Sequence, residues 1–526
     1  MKMFPKDAED AVVAEMQQLH DMNVFKPIHK NNLTEQERRQ VLNSIIFVKE
    51  KRSGKIKARA CADGRPQRAI YDKYDASSPT VKTESVILTS VIEAAEDRAI
   101  GVYDIPGAFL HSKLEEIVHM KITGILAGFL VSVAPSVYAP FLTKEKDQDV
   151  VYVQLTRALY GCLKSALQFW KHLSGHLKLR GYKLNPYDSC VANRNVEGSQ
   201  LTVVWHVDDI KISHVSHAVL STELTWLESI YGPLIGSIGK QHTYLGMDLD
   251  FSDKKLKVSM VPYFQDIIDD FPEDISKSFS TPAGNHLFDE SEQPVLITEH
   301  KAKMFHHTVA RILWGAMRAR PDLLTTLSYL TCKVRAPDED DFKKLIRLIC
   351  YIKGTIELPL IMTTDGSRVV KWWVDASFGT RKDMRSQTGA VMSMGTGSLY
   401  STSRKQKLNT TSSTEAELVA VNDVMPQIIW TRQFLLSQGA KVTHNILYQD
   451  NQSAMLLEKN GVVSSSRKTR HINIRFFFIK DCISAGELDL QYCPTDQMVG
   501  DFCTKPMQGK KFFFFRKIIM GELENA

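Results

Sequence analysis

WHVDDIKISH, residues 205–214, places two adjacent carboxylates, Asp208 and Asp209, inside a run that otherwise has the character of a strand. Residues 201–207 are rich in β-branched and aromatic side chains, and residues 210–213 alternate between apolar and polar. This pattern predicts a β-hairpin with the aspartates at its tight turn. Two interpretations are open. The aspartates only make the turn, because Asp accepts turn geometry, or the turn holds two carboxylates against a cation.

Length and composition describe an ordinary globular chain with more than one domain. The 526 residues are too many for one hydrophobic core and predict about three domains. The chain is 43% hydrophobic and 24% charged, and its net charge of +6 permits a nucleic-acid partner without requiring one. The eight cysteines are scattered without zinc-ligand spacing, which is typical of a reduced intracellular protein.

No membrane-spanning segment is expected. The N-terminal residues lack the apolar core of a signal peptide. Residues 122–141 are the most apolar stretch, but Pro135 and Pro140 interrupt it before the roughly 20 residues that a spanning helix needs. We expect a buried helix and a loop there.

A third acid precedes the pair by about a hundred residues. In VYDIPGAFLH, Asp104 ends a short apolar strand and precedes a turn and the bulky Phe109. Carboxylates at a strand end and in a hairpin turn can converge on adjacent strands of one sheet. Such a cluster suits two Mg²⁺ ions, which prefer oxygen ligands and clamp the oxygens of a phosphoryl transfer.

The C-terminal part shows a similar set of acids. Residues 272–300 are rich in Ser, Pro, Asp and Glu and predict a linker, and from residue 369 the order of strands and helices suggests an α/β domain of about 150 residues. Its strand ends and helix starts carry four acids: Asp375, Glu415, Asp450 and Asp501.

Each of these acids also has a purely structural interpretation. Ser412-x-x-Glu415 has the spacing of a capping box, Asp450 precedes an Asn in a turn, and Asp501 can cap a helix. The four together are harder to explain structurally.

The ordered motifs of the chain resemble a known family, the reverse transcriptase and ribonuclease H region of copia-type LTR-retrotransposon polyproteins. The resemblance runs from about residue 57 to the C-terminus. It is carried by KARACADG, DASSPTVKTESV, DIPGAFLHSKLEE, LTRALYGCLKSALQFW, HVDDIKIS, YLGMDL, ARPDLLTTLSYL, YIKGT, VDASF, SRKQKLNTTSSTEAE, QDNQSA, RKTRHINIR and DFCTKPM.

This resemblance implies an α+β fold, in which a right-hand polymerase with fingers, palm and thumb is followed by connecting helices and an α/β ribonuclease H-like domain. The expected divisions are an N-terminal helical segment (1–40), fingers and palm (41–252), a thumb-like segment with linker (253–300), connection helices (301–366) and the ribonuclease H-like domain (367–526).

By the same resemblance, Asp104, Asp208 and Asp209 match the catalytic, metal-binding triad of the polymerase. The four C-terminal acids, Asp375, Glu415, Asp450 and Asp501, match the catalytic metal ligands of ribonuclease H. The implied cofactor is Mg²⁺, with Mn²⁺ as its substitute.

The nucleotide contacts are expected at Phe109, which would exclude a ribose 2′-hydroxyl, and at Lys57 and Arg59, which lie where the fingers meet the triphosphate. His206 replaces the family's usual Tyr and should touch the primer end. Further nucleic-acid contacts are expected from basic segments and one histidine: Arg404, Lys405, Lys407, Arg467, Lys468, Arg470, His471, the pair 510–511 and the pair 516–517.

The function implied is an RNA-directed DNA polymerase that copies RNA into DNA and whose ribonuclease H cleaves the RNA strand of the hybrid. Its partners would be an RNA template, a DNA primer, RNA–DNA hybrid and deoxynucleoside triphosphates, with the capsid and integrase of the same element as further candidates and no membrane. The expected location is the cytoplasm, in virus-like particles, with product DNA delivered to the nucleus. Two rivals are open: a degenerate remnant that binds nucleic acid without polymerase activity, and a nuclease whose polymerase half is a scaffold.

Overall fold

The computed structural model describes residues 6–50, 54–460 and 473–523. These residues form four sheets, which follow one another along the chain with little overlap. The first two sheets belong to the fingers and palm, the third joins the helical region, and the fourth is the core of the C-terminal domain.

The fingers contain a six-stranded sheet with the order β1-β7-β5-β2-β3 and β6 beside β7. Its strands are β1 (Phe25–Ile28), β2 (Leu42–Glu50), β3 (Ile56–Ala62), β5 (Lys113–Thr123), β6 (Leu142–Glu145) and β7 (Gln148–Arg157). The accompanying helices are α1 (Lys6–Asp21), α2 (Glu35–Gln40), α3 (Lys73–Ala76), α5 (Ile125–Val133) and α6 (Pro135–Tyr138).

The expected division at residue 40 is corrected by these contacts. Strand β1 pairs with β7, and the apolar face of α1 packs in the core of the fingers through Val12, Met16 and Leu19. An amphipathic helix of this length needs a partner for its apolar face. Residues 6–40 are therefore part of the fingers.

The palm is a six-stranded sheet with the order β12-β4-β11-β10-β9-β8. The strands are β4 (Ala99–Asp104), β8 (Lys183–Asn185), β9 (Asp188–Val196), β10 (Ser199–His206), β11 (Asp209–His214) and β12 (Ile235–Gly239). The helices that accompany it are α4 (Thr83–Ala95), α7 (Ser165–Leu179) and α8 (His217–Tyr231).

The region after the palm combines a small sheet with four helices. The strands β13 (Gln241–Tyr244), β14 (Met247–Asp250), β15 (Leu256–Ser259) and β16 (Leu360–Met362) are joined in that order. The helices are α9 (Val261–Asp269), α10 (Glu299–Ala319), α11 (Leu324–Lys333) and α12 (Glu339–Gly354). The expected boundaries at residues 252 and 300 divide this sheet, because β14 pairs with β15 and β15 pairs with β16.

The C-terminal domain has a five-stranded sheet in the order β19-β18-β17-β20-β21. Strands β17 (Val369–Ser377), β18 (Gln387–Ser393) and β19 (Tyr400–Lys405) are antiparallel, and β20 (His444–Gln449) and β21 (Asp489–Tyr492) run parallel to β17. The helices are α13 (Ser413–Ser437), α14 (Gln452–Asn460), α15 (Asn473–Ser484) and α16 (Gly509–Ile519).

The C-terminal domain is attached to the palm by hydrogen bonds that palm side chains donate to the C-terminal end of α13. The Asn185 side chain donates to the carbonyl of Phe434 (3.2 Å) and to Oε1 of Gln438 (3.0 Å), and Gln200 donates to the carbonyl of Gln438 (2.7 Å). These contacts involve strand β10, whose other end leads to the aspartate turn.

No helix in the described ranges is long and apolar enough to cross a membrane. The apolar stretch at 122–141 forms the nine-residue α5 and the short α6.

Candidate active sites

The aspartate turn lies at one end of the palm sheet, beside the end of β4. Strand β4 ends at Asp104 and β11 begins at Asp209, and these two residues are direct partners in the antiparallel register. Asp208 precedes β11 in the turn, after Val207 with a φ of +58°, and its carbonyl accepts a hydrogen bond from Ile105 N (3.1 Å). The turn and cluster interpretations are therefore compatible, because the turn places both aspartates beside Asp104.

The electrostatics of this turn favour a bound cation. Asp209 is half-buried, and burial first, then the charges of Asp208 and Asp104, raises its pKa to about 6. Carboxylates crowded in a partly dry site repel one another until a cation joins them. The all-oxygen donor set fits Mg²⁺ or Mn²⁺.

Two aromatic rings and a guanidinium lie near these acids. Phe109 is buried on the 3₁₀ turn Ala108–His111, with its ring centroid 4.5 Å from that of Tyr160. The Arg59 guanidinium carbon lies 4.0 Å from the Tyr160 ring centroid. Burial, against the opposing charge of Arg59 and with contributions from Asp208 and Asp104, raises the pKa of Tyr160 to about 12.

Tyr160 thus lies between Arg59 of β3 and the aspartate turn, and the sequence analysis missed it. It lies in the ALYGC motif, and this motif is the sequence feature from which its place near the site could have been predicted. The structure also separates the two basic residues of β3, because Arg59 stacks on Tyr160 whereas Lys57 is exposed opposite Lys49.

His206 ends β10 directly opposite Asp209. Burial lowers its pKa, and its Nδ1 atom has no hydrogen-bond partner among the described residues. The charge of Arg318 lowers the His206 pKa further. Arg318, on α10, stacks its guanidinium 3.9 Å from the Trp314 ring centroid and was also missed from the sequence.

The second group of acids lies in the C-terminal domain. Ligand oxygens of Asp375, Glu417 and Asp450 all lie within 4.8 Å of one another. No other set of three acid, histidine or cysteine ligands meets so closely in the described ranges. Asp375 is on β17, Glu417 is in the first turns of α13, and Asp450 follows β20.

Burial dominates the electrostatics of this group. It raises the pKa of Asp375 to about 7, and the charges of Asp501 and Asp450 contribute. The pKa of Glu417 lies well above its usual value, from burial and from the charges of Asp375 and Asp450. Three hard oxygen donors that repel one another fit a divalent cation such as Mg²⁺.

The expectation that Glu415 belongs to this group is corrected. Glu415 accepts hydrogen bonds from Thr411 N (2.6 Å) and Thr411 Oγ1 (2.7 Å), while its own N–H donates to Ser412 Oγ (3.2 Å). Glu417 instead accepts from Ala376 N (3.0 Å) on β17. Residues two apart on a helix point to different sides, so only Glu417 faces the sheet.

Asp501 lies beside the group without joining it. It is buried on the 3₁₀ turn Val499–Cys503, and its carboxylate is held by Lys505 and by Lys511 (3.2 Å). This turn approaches β17 closely because Gly500 has no side chain, and a Cβ there would lie 3.0 Å from Asp375 Cβ.

Comparison with known sequences defines the family. Residues 32–283 match the family described as reverse transcriptase (RNA-dependent DNA polymerase). The chain is 23% identical over 473 residues to the retrovirus-related Pol polyprotein from transposon TNT 1-94 of Nicotiana tabacum. It is 25% identical over 479 residues to that from transposon RE1 of Arabidopsis thaliana.

Residues 32–283 thus belong to the reverse transcriptase family, and the chain as a whole is similar to Pol polyproteins of copia-type plant transposons. The two alignments cover 88% and 89% of this chain but only 34% and 31% of the relatives. The chain therefore spans about a third of the length of these polyproteins.

A solved structure confirms the predicted fold class. The chain resembles in fold a foamy viral protease–reverse transcriptase in complex with double-stranded DNA, with a TM-score of 0.52 and 13% identity. The similarity covers 94% of this chain and 71% of the viral one.

The basic residues that were expected to touch nucleic acid differ in their exposure and in their hydrogen-bond and ion-pair partners. Arg404 is exposed but donates to the carbonyl of Asp423 (2.6 Å), Lys405 pairs with Asp383 (2.6 Å), and Lys407 is exposed. Lys511 is engaged with Asp501, and Arg516 reaches the Tyr351 hydroxyl (3.3 Å). Four of the predicted contacts lie outside the described residues: Arg467, Lys468, Arg470 and His471.

Proposed function

We propose that this chain is an RNA-directed DNA polymerase that also cleaves the RNA strand of the hybrid it produces. The observation that carries the proposal is the pairing of Asp104 with Asp209 at the end of the palm sheet, in a chain of reverse transcriptase family. The separate group of Asp375, Glu417 and Asp450 supports the nuclease half.

Residues of this chain would have distinct roles in DNA synthesis. Asp104, Asp208 and Asp209 would hold the cations. Arg59 contributes a fixed positive charge toward the triphosphate, held in place by its stacking on Tyr160. When bound, Mg²⁺ neutralises phosphate charge and polarises the reacting oxygens. Most of the catalysis would come from this positioning and electrostatics.

His206 is suited to the primer terminus. Burial lowers its pKa, and its buried Nδ1 atom has no hydrogen-bond partner among the described residues. The stacked pair of Arg318 and Trp314 adds a cation and a ring near the same position.

The test of the proposal uses the full chain in two assays. Primer extension on an RNA template with deoxynucleotides and Mg²⁺ measures the polymerase, and release of fragments from labelled RNA in a hybrid measures the nuclease. A remnant that only binds would show neither activity, and a nuclease on a polymerase scaffold would show cleavage alone.

The proposed setting is a virus-like particle in the cytoplasm, with capsid and integrase of the same element as partners and delivery of DNA to the nucleus. Co-sedimentation of the chain with capsid and element RNA would support it, and recovery of the chain free of both would contradict it.

Phe109→Val should raise ribonucleotide incorporation relative to deoxynucleotide incorporation by about tenfold or more, equivalent to about 1.4 kcal/mol. The reason is that the Phe109 ring, held by Tyr160, fills the space beside the sugar. Single-nucleotide extension with each substrate measures the ratio. Phe109→Tyr, which keeps the ring, should leave the ratio unchanged, and an unchanged ratio in the valine variant would remove Phe109 from this role.

Arg59→Met should raise the KM for deoxynucleotides by about tenfold, the value of a charge-assisted contact. Lys57→Met is the matched control, because Lys57 lies two residues away on the same strand without the Tyr160 contact. Steady-state extension gives both constants. Equal effects in the two variants would show that the stacking does not select Arg59.

A further inference from the structure

Lys505 lies beside two acids of the candidate nuclease site, Asp375 and Asp501. Its ammonium forms an ion pair with Oδ1 of Asp501 and lies 3.8 Å from Oδ2 of Asp375. It thus lies between Asp501, which remains outside the compact group, and Asp375, which belongs to it.

The two oxygens of Asp501 have different lysine partners. Oδ1 is bound by Lys505, and Oδ2 lies 3.2 Å from Lys511 Nζ. Asp501 is 1% exposed at its side chain, whereas Lys505 is 42% exposed and Lys511 is 50% exposed. Both ammonium groups therefore reach a buried carboxylate from the solvent side.

Only Lys505 also faces the compact group. Its ammonium lies 3.8 Å from Asp375 Oδ2, whereas Lys511 pairs with Asp501. The space between Asp375 and Asp501 thus holds a monovalent cation supplied by the chain. The oxygens of Asp375, Glu417 and Asp450 leave a separate position for a divalent ion.

We propose that the Lys505 ammonium occupies the second cation position of the nuclease site. Without substrate, the site then takes one divalent ion, among Asp375, Glu417 and Asp450, and a second ion enters between Asp375 and Asp501 only when Lys505 withdraws. The inference rests on the proposed nuclease function and adds to it a positioning residue that couples ion loading to substrate.

The physical basis is competition for one site. A lysine ammonium is a compact charge on a flexible stem, and an incoming RNA phosphate attracts it away from the carboxylates. The vacated position has two carboxylates, which suit a divalent ion better than a monovalent one. Binding of the hybrid would thus let the second ion enter the site that cleaves the hybrid.

The test counts Mn²⁺ bound per chain without nucleic acid, by equilibrium dialysis and electron paramagnetic resonance. Lys505→Met should bind one more Mn²⁺ than the wild type. Lys511→Met is the matched control, because it removes a lysine from the same carboxylate but leaves the Lys505 bridge, and it should bind the wild-type number. The polymerase site contributes equally to all three proteins.

Lys505→Gln and Lys505→Arg complete the series. Lys505→Gln should also bind one more Mn²⁺ than the wild type. Lys505→Arg should bind the wild-type number, since Arg keeps the charge. Thermal melting verifies that each variant is folded. An equal Mn²⁺ count in the wild type and the Met and Gln variants would overturn the proposal, as would a gained ion in the Arg variant.

Hybrid cleavage separates this proposal from the proposed function. The Mg²⁺ concentration for half-maximal cleavage should fall about tenfold in Lys505→Met, equivalent to about 1.4 kcal/mol. Cleavage by the wild type with equal ion counts would refute the Lys505 proposal alone. A gained ion with no cleavage by any variant would support the Lys505 position and refute the nuclease function.

Discussion

Glu417→Gln should reduce cleavage of the RNA strand of a hybrid by at least about a thousandfold, equivalent to about 4 kcal/mol of barrier. The variant removes one of three carboxylates whose ligand oxygens lie within 4.8 Å of one another. Its side chain keeps its shape, and its amide oxygen can still accept from Ala376 N, as Glu417 does at 3.0 Å. The measurement is fragment release from labelled hybrid at saturating Mg²⁺.

The melting temperature distinguishes lost chemistry from lost structure. Glu417→Gln removes a buried carboxylate that Asp375 and Asp450 repel, so without divalent ions it should melt no lower than the wild type. DNA synthesis on an RNA template should be unaffected.

Glu415→Gln is the matched control, two residues earlier on the same helix. Glu415 accepts from the N–H and hydroxyl of Thr411, and a glutamine oxygen can accept both bonds. Cleavage should therefore stay within a few-fold of the wild type, since a Gln serves in a helix cap as a Glu does. Loss of cleavage in Glu415→Gln with full activity in Glu417→Gln would reverse the assignment.

Asp209→Asn should abolish nucleotide incorporation, with a loss of at least about a thousandfold. Asp209 lies opposite Asp104 in the palm register, and its pKa of about 6 reflects burial and the two neighbouring carboxylates. An amide in place of the Asp209 carboxylate is a weaker ligand for a hard cation and carries no negative charge to balance that of the cation. Primer extension on an RNA template measures the loss, and hybrid cleavage by the same variant should persist.

Asp97→Asn provides the control for this palm variant. Asp97 lies before the other end of β4, is 59% exposed and pairs with Lys240. Its φ of +53° suits Asn as well as Asp, so extension should be nearly unchanged. Incorporation by Asp209→Asn at more than about a tenth of the wild-type rate would contradict the role of the turn in holding cations.

Local patterns were sufficient for the secondary structure around the polymerase site. Alternating and β-branched residues on both sides of Asp208 and Asp209 predicted the hairpin that β10 and β11 form. The strand ending at Asp104 was readable for the same reason. Their positions at a strand end and in a hairpin turn indicated that these acids can converge on adjacent strands. The direct pairing of Asp104 with Asp209 came from the structure, since a register between strands a hundred residues apart has no local signal.

Other parts of the site depended on packing between distant segments. The stacking of Arg59 on Tyr160 joins the fingers to the segment after β7, and neither residue's neighbours in the sequence indicate it. Residues 6–40 were expected to be separate, because the pairing of β1 with β7 spans more than a hundred residues.

The sequence by itself determined the resemblance to copia-type reverse transcriptases, the fold class and the strand and helix ends at which the acids lie. Only the tertiary structure decided which acid of STEAEL faces the sheet. The motif contains Glu415 and Glu417. The family resemblance assigned the first of them to the metal site, although its capping-box spacing offered a structural alternative. The direction of a helical side chain relative to a sheet depends on how the helix is docked, and the docking of α13 on β17 turns Glu417 toward Asp375. The position of Lys505 between Asp375 and Asp501 has the same origin, since charges far apart in the chain meet only where folding brings their segments together.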